Sequence, residues 1–262
     1  MRLTILGVSS HYPKPGAPCT GLLLEHGGAS VWVDAGPGTL AELQRHVALE
    51  DLSAVWISHG HADHAADLLP AFYAFRYGDV PARAALPVLA PEDVRGRLAG
   101  FLGPSSPPEL DRVFAFDPLS DGGRTEVPAT SPDGLALRWA AVRHDAPGFA
   151  LRAEGGGASL VYTGDSAPCA ALDELAQGCD LLVSEAGTDR RAPGEMPVHL
   201  TPEEAGELAE RAGAKRLLLI HLALGLAPDE AVRRASARFG GTVAAAVVSG
   251  VPMSVDLPTV ES

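Results

Sequence analysis

The sequence predicts a layered α/β protein, because apolar runs of strand length alternate with helical patterns along most of its 262 residues. Several runs are apolar throughout, which is typical of strands covered on both faces. The runs predicted as strands are Leu3–Leu6, Gly21–Glu25, Ser30–Val33, Ala54–Ser58, Leu135–Val142, Ser159–Thr163, Asp180–Ser184, Arg216–Ile220 and Val243–Ser249. We find no internal repeat and expect one domain over residues 1–262.

Helical patterns lie between several of these runs, at Thr39–Ala48, Asp63–Tyr77, Pro91–Leu102 and Pro202–Ala212. The last is the best marked, because Thr201 suits an N-cap, Pro202 the first helical position and Glu204 a capping box. Pro91 is likewise predicted at the first position of its helix. The aromatic run 72–77 has helical spacing and is predicted to pack mainly in the core. Residues Gly103–Asp133 are rich in Pro and Gly, which predicts an irregular excursion.

The composition argues against some classes of function. The net charge is −13 and no run is rich in Lys or Arg, so extended nucleic-acid binding is not expected. A small anionic substrate stays compatible, because bound metal ions can dominate the local field. Cys19, Cys169 and Cys179 match no metal-site spacing and are expected to be free thiols. No signal-peptide pattern and no long apolar stretch is found, so we expect a cytoplasmic protein without a membrane segment.

A cluster of metal-ligand residue types directly follows the apolar run Ala54–Ser58. His59, His61, Asp63 and His64 stand close together, and zinc prefers imidazole nitrogen and carboxylate oxygen. Two histidines that lie two residues apart in an extended turn can point to the same side. Asp63 and His64 begin the next element and can face a second point nearby. One tight turn can therefore serve two metal ions, and without a metal so many imidazoles would be costly to bury.

Three more residues of these types stand where other predicted strands end. They are His144, Asp165 and His221. Functional sites in α/β sheets gather beyond the carboxyl ends of the strands. A lone histidine after a strand is more often a hydrogen-bonding residue, but four strand ends with the same feature favour a shared metal site.

The spacing His59-x-His61-x-Asp63-His64, followed by three single ligands, resembles the metallo-β-lactamase superfamily over nearly the whole chain. The resemblance implies a four-layer αββα sandwich, two mixed sheets flanked by helices, with a dinuclear site at one edge. It also implies two Zn²⁺ ions, although Mn²⁺ or Fe²⁺ can occupy similar ligands. By position, the first zinc ion would be bound by His59, His61 and His144, the second by Asp63, His64 and His221, and Asp165 would bridge them. Flavo-diiron members carry a carboxylate where His61 stands, so an oxygen-reducing role is not expected.

The segment between Asp180 and His221 resembles the phosphodiesterase branch of the superfamily, which holds ribonuclease Z and related cyclic-nucleotide phosphodiesterases. In that branch a histidine before a helix start lies by the metals, and a glutamate after the preceding strand orients it. By position these are His199 and Glu185, which we expect to form the catalytic set together with Asp63. The alternatives are a helix cap for His199 and a solvated turn for Glu185.

Asp34 matches an aspartate early in the family pattern, so the resemblance implies that it orients a ligand imidazole. The alternative is a plain turn residue. Arg190 and Arg191 lie in the loop before His199 and are candidates for substrate binding, or else solvated side chains. His11 and Lys14, after the first strand, are further candidates.

Two departures from ribonuclease Z favour a small substrate. Residues 145–164 are largely used by a hairpin through Glu154–Gly157, so the RNA-gripping arm of the bacterial enzymes does not fit there. That family also follows its last ligand with a Ser and an Arg, where this chain has Leu222-Ala223-Leu224. In the stretches Leu6–Ser10, Asp34–Gly38 and His199–Gly206 the chain is more similar to atypical class II-like cyclic-nucleotide phosphodiesterases. This resemblance implies hydrolysis of a small cyclic nucleotide, or a similar phosphodiester, by a hydroxide shared between two zinc ions.

Several other functions are compatible with the same residues. A lactone or thioester hydrolase would use the same metals without needing His199. A ribonuclease Z-like RNA endonuclease and a metal-bound binding module without catalysis are the further alternatives. Relatives often form dimers, so a homodimer is one expected assembly.

Overall fold

Two seven-stranded mixed sheets pack face to face in the computed structural model, which describes residues 1–81, 83–127, 129–131, 133–247 and 253–257. The first sheet has the order β14-β1-β2-β3-β4-β5-β6 and the second β13-β12-β11-β10-β9-β8-β7. The strands are β1 (Arg2–Gly7), β2 (Gly21–His26), β3 (Ala29–Val33), β4 (Ala54–Trp56), β5 (Leu86–Ala90), β6 (Phe114–Pro118), β7 (Arg124–Val127), β8 (Leu135–Val142), β9 (Gly148–Gly155), β10 (Ala158–Tyr162), β11 (Leu181–Ala186), β12 (Arg216–Leu222), β13 (Thr242–Ala245) and β14 (Met253–Asp256).

Helices cover the outer face of each sheet. They are α1 (Thr39–Leu43), α2 (Ala62–Ala65), α3 (Leu68–Tyr77), α4 (Glu92–Leu102), α5 (Pro107–Val113), α6 (Ala170–Leu175), α7 (Pro202–Ala212) and α8 (Pro228–Ser236). Helices α1 to α5 accompany the first sheet, and α6 to α8 accompany the second. The predicted αββα sandwich of two mixed sheets flanked by helices is confirmed.

The sequence builds three apolar layers. The inner layer joins both sheets, for example Leu24 and Trp56 of the first with Leu137 and Leu160 of the second. Strand β8 shows how the pattern works, because every second residue from Leu135 to Trp139 is buried while the residues between them point outward. Each fully buried leucine contributes about 2 kcal/mol, so this inner layer holds the sheets together firmly.

Strand direction brings one set of strand ends together. Strands β10, β11, β12 and β13 are parallel. Strand β8 runs in the same direction as β10, because both are antiparallel to β9. The carboxyl ends of β8, β10, β11 and β12 therefore meet at one edge of the second sheet, where the residues after these strands can share a site.

A polar contact ties the starts of β10 and β11 together away from that edge. The Asp180 carboxylate accepts hydrogen bonds from the Ser159 amide at 2.7 Å and the Ser159 hydroxyl at 3.1 Å. Its other oxygen lies 2.6 Å from the Lys215 ammonium. Burial raises the pKa of Asp180, but the hydrogen bonds from Lys215 and Ser159 outweigh it and hold that pKa below its ordinary value.

The predicted helices differ in how far they are correct. Helix α7 has the predicted bounds, and Thr201 and Glu204 form both hydrogen bonds of the capping box. The pattern Thr39–Ala48 gives a helix only to Leu43. The pattern Asp63–Tyr77 is divided into α2 and α3, because Pro70 lacks the amide that would continue the ladder from Ala66. The prediction for Pro91 was wrong by one position, because its extended ψ of 147° makes it the N-cap.

The prediction of an irregular excursion over Gly103–Asp133 was wrong. This segment contains α5, β6 and β7, and it passes from the edge of the first sheet to the edge of the second. Edge strands are short and tolerate proline, so their sequences resemble those of loops. Strand β6, for example, ends with Pro118. Residues 128 and 132 of the segment, and 248–249 of the last predicted strand, lie outside the described residues.

The aromatic run on α3 is only partly core. Phe72 is buried, whereas Tyr73 and Tyr77 are more than half exposed and lie side by side. The three cysteines are free thiols. Within the described ranges, no helix has the length and apolar character needed to cross a membrane.

Candidate active site

Seven side chains of metal-ligand type converge at the edge where the strand ends meet. Each arrives from a strand end or the turn after it, so the fold alone determines their proximity. His59 and His61 lie in the turn after β4, and Asp63 and His64 lie in α2. The remaining three follow β8, follow β10, or lie near the end of β12. We use the name metal-ligand cluster for His59, His61, Asp63, His64, His144, Asp165 and His221. His199 also has a ligand atom within 4.8 Å of those of Asp165 and His221.

Three imidazoles form one side of the cluster, which we call the first trio: His59, His61 and His144. The distance from His61 Nδ1 is 3.1 Å to His59 Nε2 and 3.4 Å to His144 Nε2. His144 Nδ1 lies 2.8 Å from the carbonyl oxygen of Val198, which can only accept a hydrogen bond. His144 therefore donates from Nδ1, which turns its Nε2 atom toward the trio in the orientation of a metal ligand.

The second trio is Asp63, His64 and His221, on the other side of the cluster. Asp63 Oδ2 lies 3.3 Å from His221 Nε2 and 3.8 Å from His64 Nε2. His221 has a φ of 46°, a conformation that a residue with a Cβ rarely adopts. Backbone strain of this kind is retained where the surrounding structure holds a side chain in a required position.

Asp165 lies between the two trios. Its Oδ2 atom is 3.8 Å from His59 Nε2, 3.4 Å from His64 Nε2 and 3.6 Å from His221 Nε2. The other oxygen, Oδ1, is buried and has no hydrogen-bond partner among the described residues. One carboxylate thus faces ligand atoms of both trios, which is the placement that a bridging ligand requires.

Asp34 lies behind the second trio, fully buried, with a φ of 57°. It accepts hydrogen bonds of 2.7 Å from the Ser58 amide, the Ser58 hydroxyl and the Tyr162 hydroxyl. Its fourth contact, at 2.8 Å, is with His64 Nδ1. Because this carboxylate accepts a hydrogen bond from the Nδ1–H group, it orients the ring so that Nε2 of His64 faces Asp63 and Asp165.

The protonation states in the cluster fit a bound cation. Burial and the neighbouring His64 hold the pKa of His59 well below its ordinary value, so that imidazole is neutral. Burial raises the pKa of Asp165, but the nearby His221, His64 and His59 outweigh burial and hold that pKa well below its ordinary value. The carboxylate is therefore ionised. Neutral imidazole and ionised carboxylate are the forms that bind zinc.

The pKa of His64 is shifted in the opposite direction to that of His59. Burial alone lowers its pKa, yet Asp165 and Asp34 raise it well above the ordinary value. The imidazole holds a second proton between two buried carboxylates. The two carboxylates therefore favour a positive charge near Nε2. A metal ion that displaced the second proton would provide that charge instead. The donor set and its electrostatics both fit a dinuclear metal site.

His199 and Glu185 adjoin the cluster. His199 Nδ1 lies 3.0 Å from Glu185 Oε1 and 3.7 Å from Asp165 Oδ2. Glu185 is fully buried and fixed by the amides of Ser166 at 2.8 Å and Gly187 at 2.6 Å. Burial lowers the pKa of His199, but the hydrogen bond and charge of Glu185 outweigh it and raise that pKa to about 9.

Gly187 makes the pair between His199 and Glu185 sterically feasible. A Cβ at this position would lie 2.9 Å from both Glu185 Oε2 and His199 Nδ1. Any side chain would push the two functional groups apart. Sequence reasoning missed this residue, because its importance depends on a contact with a segment 12 residues further along the chain.

The two candidate arginines differ in how they are engaged. Arg191 makes two hydrogen bonds to the Glu204 carboxylate and a third, at 2.7 Å, to the backbone carbonyl of His199. Its guanidinium therefore holds the segment that carries His199 against helix α7. Arg190 has no hydrogen bond or ion pair within the described parts of the chain, so it is the freer of the two for a ligand.

Asp145 is a site residue that sequence reasoning missed. Its carboxylate is 58% exposed, with Oδ1 2.9 Å from His144 Nε2 and 3.7 Å from His61 Nε2. It therefore lies at the open mouth beside the first trio. The only signal in the sequence is its position directly after His144. Ser58 and Tyr162, which bind Asp34, were missed as well, and only Ser58 has a signal, since it precedes His59.

Known proteins resemble this chain over most of its length. Residues 30–222 match the family model described as the Beta-lactamase superfamily domain. An uncharacterized protein of Mycobacterium tuberculosis is 33% identical over 258 residues, which cover 94% of this chain and 90% of the relative. A protein named ribonuclease Z from Mycobacterium sp. (strain KMS) is 33% identical over 248 residues, covering 88% and 87% of the two chains.

Among solved structures, the metallo-β-lactamase fold protein YhfI of Bacillus subtilis superposes with a TM-score of 0.81. It is 27% identical, and the superposition covers 97% of this chain and 99% of YhfI. The matched family segment spans β3 to the end of β12 and so contains the whole metal-ligand cluster. The chain belongs to the β-lactamase superfamily and has the metallo-hydrolase fold of that family.

Proposed function

We propose that this chain is a phosphodiesterase that uses two metal ions, most simply zinc, to hydrolyse a small phosphodiester such as a cyclic nucleotide. The observation that carries the proposal is the pair formed by His199 and Glu185 at the side of the metal-ligand cluster. A hydrolase of thioesters, which expel a stabilised thiolate, does not require a buried carboxylate that holds an imidazole as proton donor. A phosphodiester with an alkoxide leaving group does.

The first trio would bind one metal ion and the second trio the other, with Asp165 facing both. When bound, two such ions supply acidified water as nucleophile and neutralise charge on the phosphoryl oxygens. Mn²⁺ and Fe²⁺ accept the same donor atoms, so the donor set does not decide between them. Asp63 belongs to this set through its carboxylate, which is ionised because His221 and His64 lower its pKa despite burial.

His199 is the group that we assign to protonate the leaving oxygen. Its Nδ1 is engaged by Glu185, so the opposite ring nitrogen is the one that can face a substrate. Glu185 stabilises the imidazolium and fixes the orientation of the ring. Arg191 supports the same geometry from the backbone side, because it holds the His199 carbonyl. Arg190, without a partner within the described ranges, is the freer of the two arginines for contact with the substrate.

A small substrate is supported by how the chain uses the segment between His144 and Asp165. Strands β9 and β10 take most of it and pair along their length, so no long insertion projects from the sandwich there. The chain also carries a net charge of −13, which disfavours a long polyanion. The relative named ribonuclease Z makes RNA cleavage the alternative to be tested directly.

The test is a substrate panel on the purified, zinc-loaded protein. The panel contains bis(p-nitrophenyl) phosphate, 3′,5′-cyclic AMP, a precursor transfer RNA, a lactone and a thioester, and the control is Asp165→Ala. We expect cleavage of the two small phosphodiesters, and its loss in the control. Acyl hydrolysis alone would leave the metal site intact as a hypothesis but refute the assignment to phosphodiesters. Cleavage of the RNA alone would refute the small substrate.

A further inference from the structure

The loop between β1 and β2 adjoins the second trio through His11. Its residues are joined to each other and to the end of β12 by hydrogen bonds. Ser10 Oγ donates to the Leu222 carbonyl at 2.7 Å, and Lys14 exchanges two backbone hydrogen bonds with Ala17 at 2.8 and 2.9 Å. The loop is therefore held in one position beside the strand end that carries His221.

The backbone of His11 is in an unfavourable conformation that serves a contact with the cluster. Its φ is 66°, in the left-handed region where glycine is common and where asparagine, aspartate and histidine are the enriched residues with a Cβ. In this conformation the amide donates a 2.9 Å hydrogen bond to Asp63 Oδ2. Glycine would make the same backbone contact with less strain. The backbone contact alone therefore does not require a histidine at this position.

The imidazole of His11 lies over His221. The ring centroids are 6.1 Å apart and the planes differ by 25°. His199 stacks on His221 as well, at 5.8 Å and 23°. Both His11 and His199 thus lie beside His221, whose own side chain is buried.

The ring nitrogens of His11 are available to a ligand. The residue is exposed, and within the described ranges its side chain makes no hydrogen bond and no ion pair. Every histidine of the metal-ligand cluster, in contrast, has at least one ring nitrogen engaged. A ring held by a strained backbone next to the second trio, with free N–H capacity, is suited to bind an oxygen atom of an anion placed over the cluster.

We propose that His11 is a substrate-binding residue, which donates a hydrogen bond to a non-bridging phosphoryl oxygen beside the second trio. The inference rests on the proposed phosphodiesterase function and names the recognised part of the substrate. No covalent step is involved. The contact exists in the bound ground state as well as in the transition state, so it contributes to binding more than to turnover.

The experiment compares His11→Gly and His11→Asn with the wild type, all zinc-loaded. Glycine suits the positive φ, so His11→Gly keeps the amide bond to Asp63 and removes only the ring. We expect an increase of about tenfold in KM for bis(p-nitrophenyl) phosphate, with kcat within about twofold and zinc content unchanged. His11→Asn keeps a donor and tolerates the backbone, so its KM should lie between the two.

Calorimetric titration with inorganic phosphate gives a second readout that needs no turnover. The Kd of His11→Gly for phosphate should rise by about tenfold. Unchanged KM and unchanged phosphate affinity overturn the inference while the phosphodiesterase activity stands. Loss of zinc from His11→Gly also overturns it, since the residue would then act through Asp63. If the wild type cleaves no phosphodiester, the proposed function fails and the substrate-binding role of His11 fails with it, whatever the ring contributes to phosphate affinity.

Discussion

Replacing His199 by alanine tests how the leaving group is protonated. A positioned general acid contributes about 10²- to 10⁴-fold to rate, which is about 3–5 kcal/mol of transition-state stabilisation. His199 has the contacts for this full effect, because its Nδ1 lies 3.0 Å from a buried carboxylate that two backbone amides hold in place. The contribution applies only to a leaving group that needs a proton.

The assay therefore uses two substrates that differ in their leaving groups. The alkoxide of 3′,5′-cyclic AMP needs protonation, whereas the p-nitrophenolate of bis(p-nitrophenyl) phosphate leaves without it. We expect His199→Ala to lose at least about 100-fold in kcat on the cyclic nucleotide and less than about tenfold on the aryl ester. Zinc content, measured by mass spectrometry, should match the wild type.

Glu185→Gln is the matched variant, because it keeps the shape and one hydrogen bond but removes the charge that stabilises the imidazolium. It should show the same dependence on leaving group with a smaller loss. Equal losses on both substrates would refute the role as proton donor. Loss of zinc from His199→Ala would instead identify His199 as a metal ligand. One of its ring nitrogens lies within 4.8 Å of ligand atoms of Asp165 and His221.

Three further predictions concern residues around this site and the sandwich. Gly187→Ala places a Cβ 2.9 Å from His199 Nδ1 and should reduce phosphodiesterase kcat about tenfold or more, with zinc content unchanged; full activity would show that the pair can move apart at little cost. Asp34→Asn removes the charge at His64 Nδ1 and should weaken zinc binding about 10- to 100-fold in a chelator competition, while an unaltered zinc affinity would contradict the orienting role. Asp180→Asn should lower the free energy of unfolding by about 0.5–1 kcal/mol at neutral pH. The folded-state pKa of Asp180 is depressed, so the extra stability of the wild type over the variant exists above the unfolded pKa of about 4 and is lost as pH falls through the folded pKa. Denaturant unfolding of both proteins at several pH values checks this. A difference in unfolding free energy that persisted in acid would contradict it.

The sequence was sufficient to predict the layers of the fold, because buried strands and amphipathic helices have distinct apolar patterns. The edges of the sheets were not predictable in the same way. Strands β6 and β7 are short and exposed on one side, and their sequences contain the residues of turns. Their place in the sheets depends on pairing with β5 and β8, which no local pattern reveals.

The ligand residues were predictable because histidine and aspartate residues stand at or just after several predicted strand ends. The residues named from the sequence as ligands are the ones that the fold brings together, and their binding of metal stays a prediction. The supporting residues were harder to identify. Tyr162 follows Asp34 by 128 positions, and its hydroxyl reaches that carboxylate only because the two sheets are packed face to face.

The arginines show a different limit. From the sequence, Arg190 and Arg191 are equivalent basic residues in one polar loop. In the structure Arg191 binds Glu204, which also forms the capping box of α7, so its guanidinium is engaged within the protein. The sequence does not show which partner a charged side chain in a loop binds. Neighbouring residues of one type can therefore have different roles.

Zinc titration of the metal-free protein tests the central claim most directly. The rate of 3′,5′-cyclic AMP hydrolysis is measured after each addition of zinc, together with the zinc retained by the protein. Two trios that share Asp165 predict a rate that reaches its plateau at about two equivalents. A plateau at about one equivalent, or phosphodiester hydrolysis by the metal-free protein, would contradict the account.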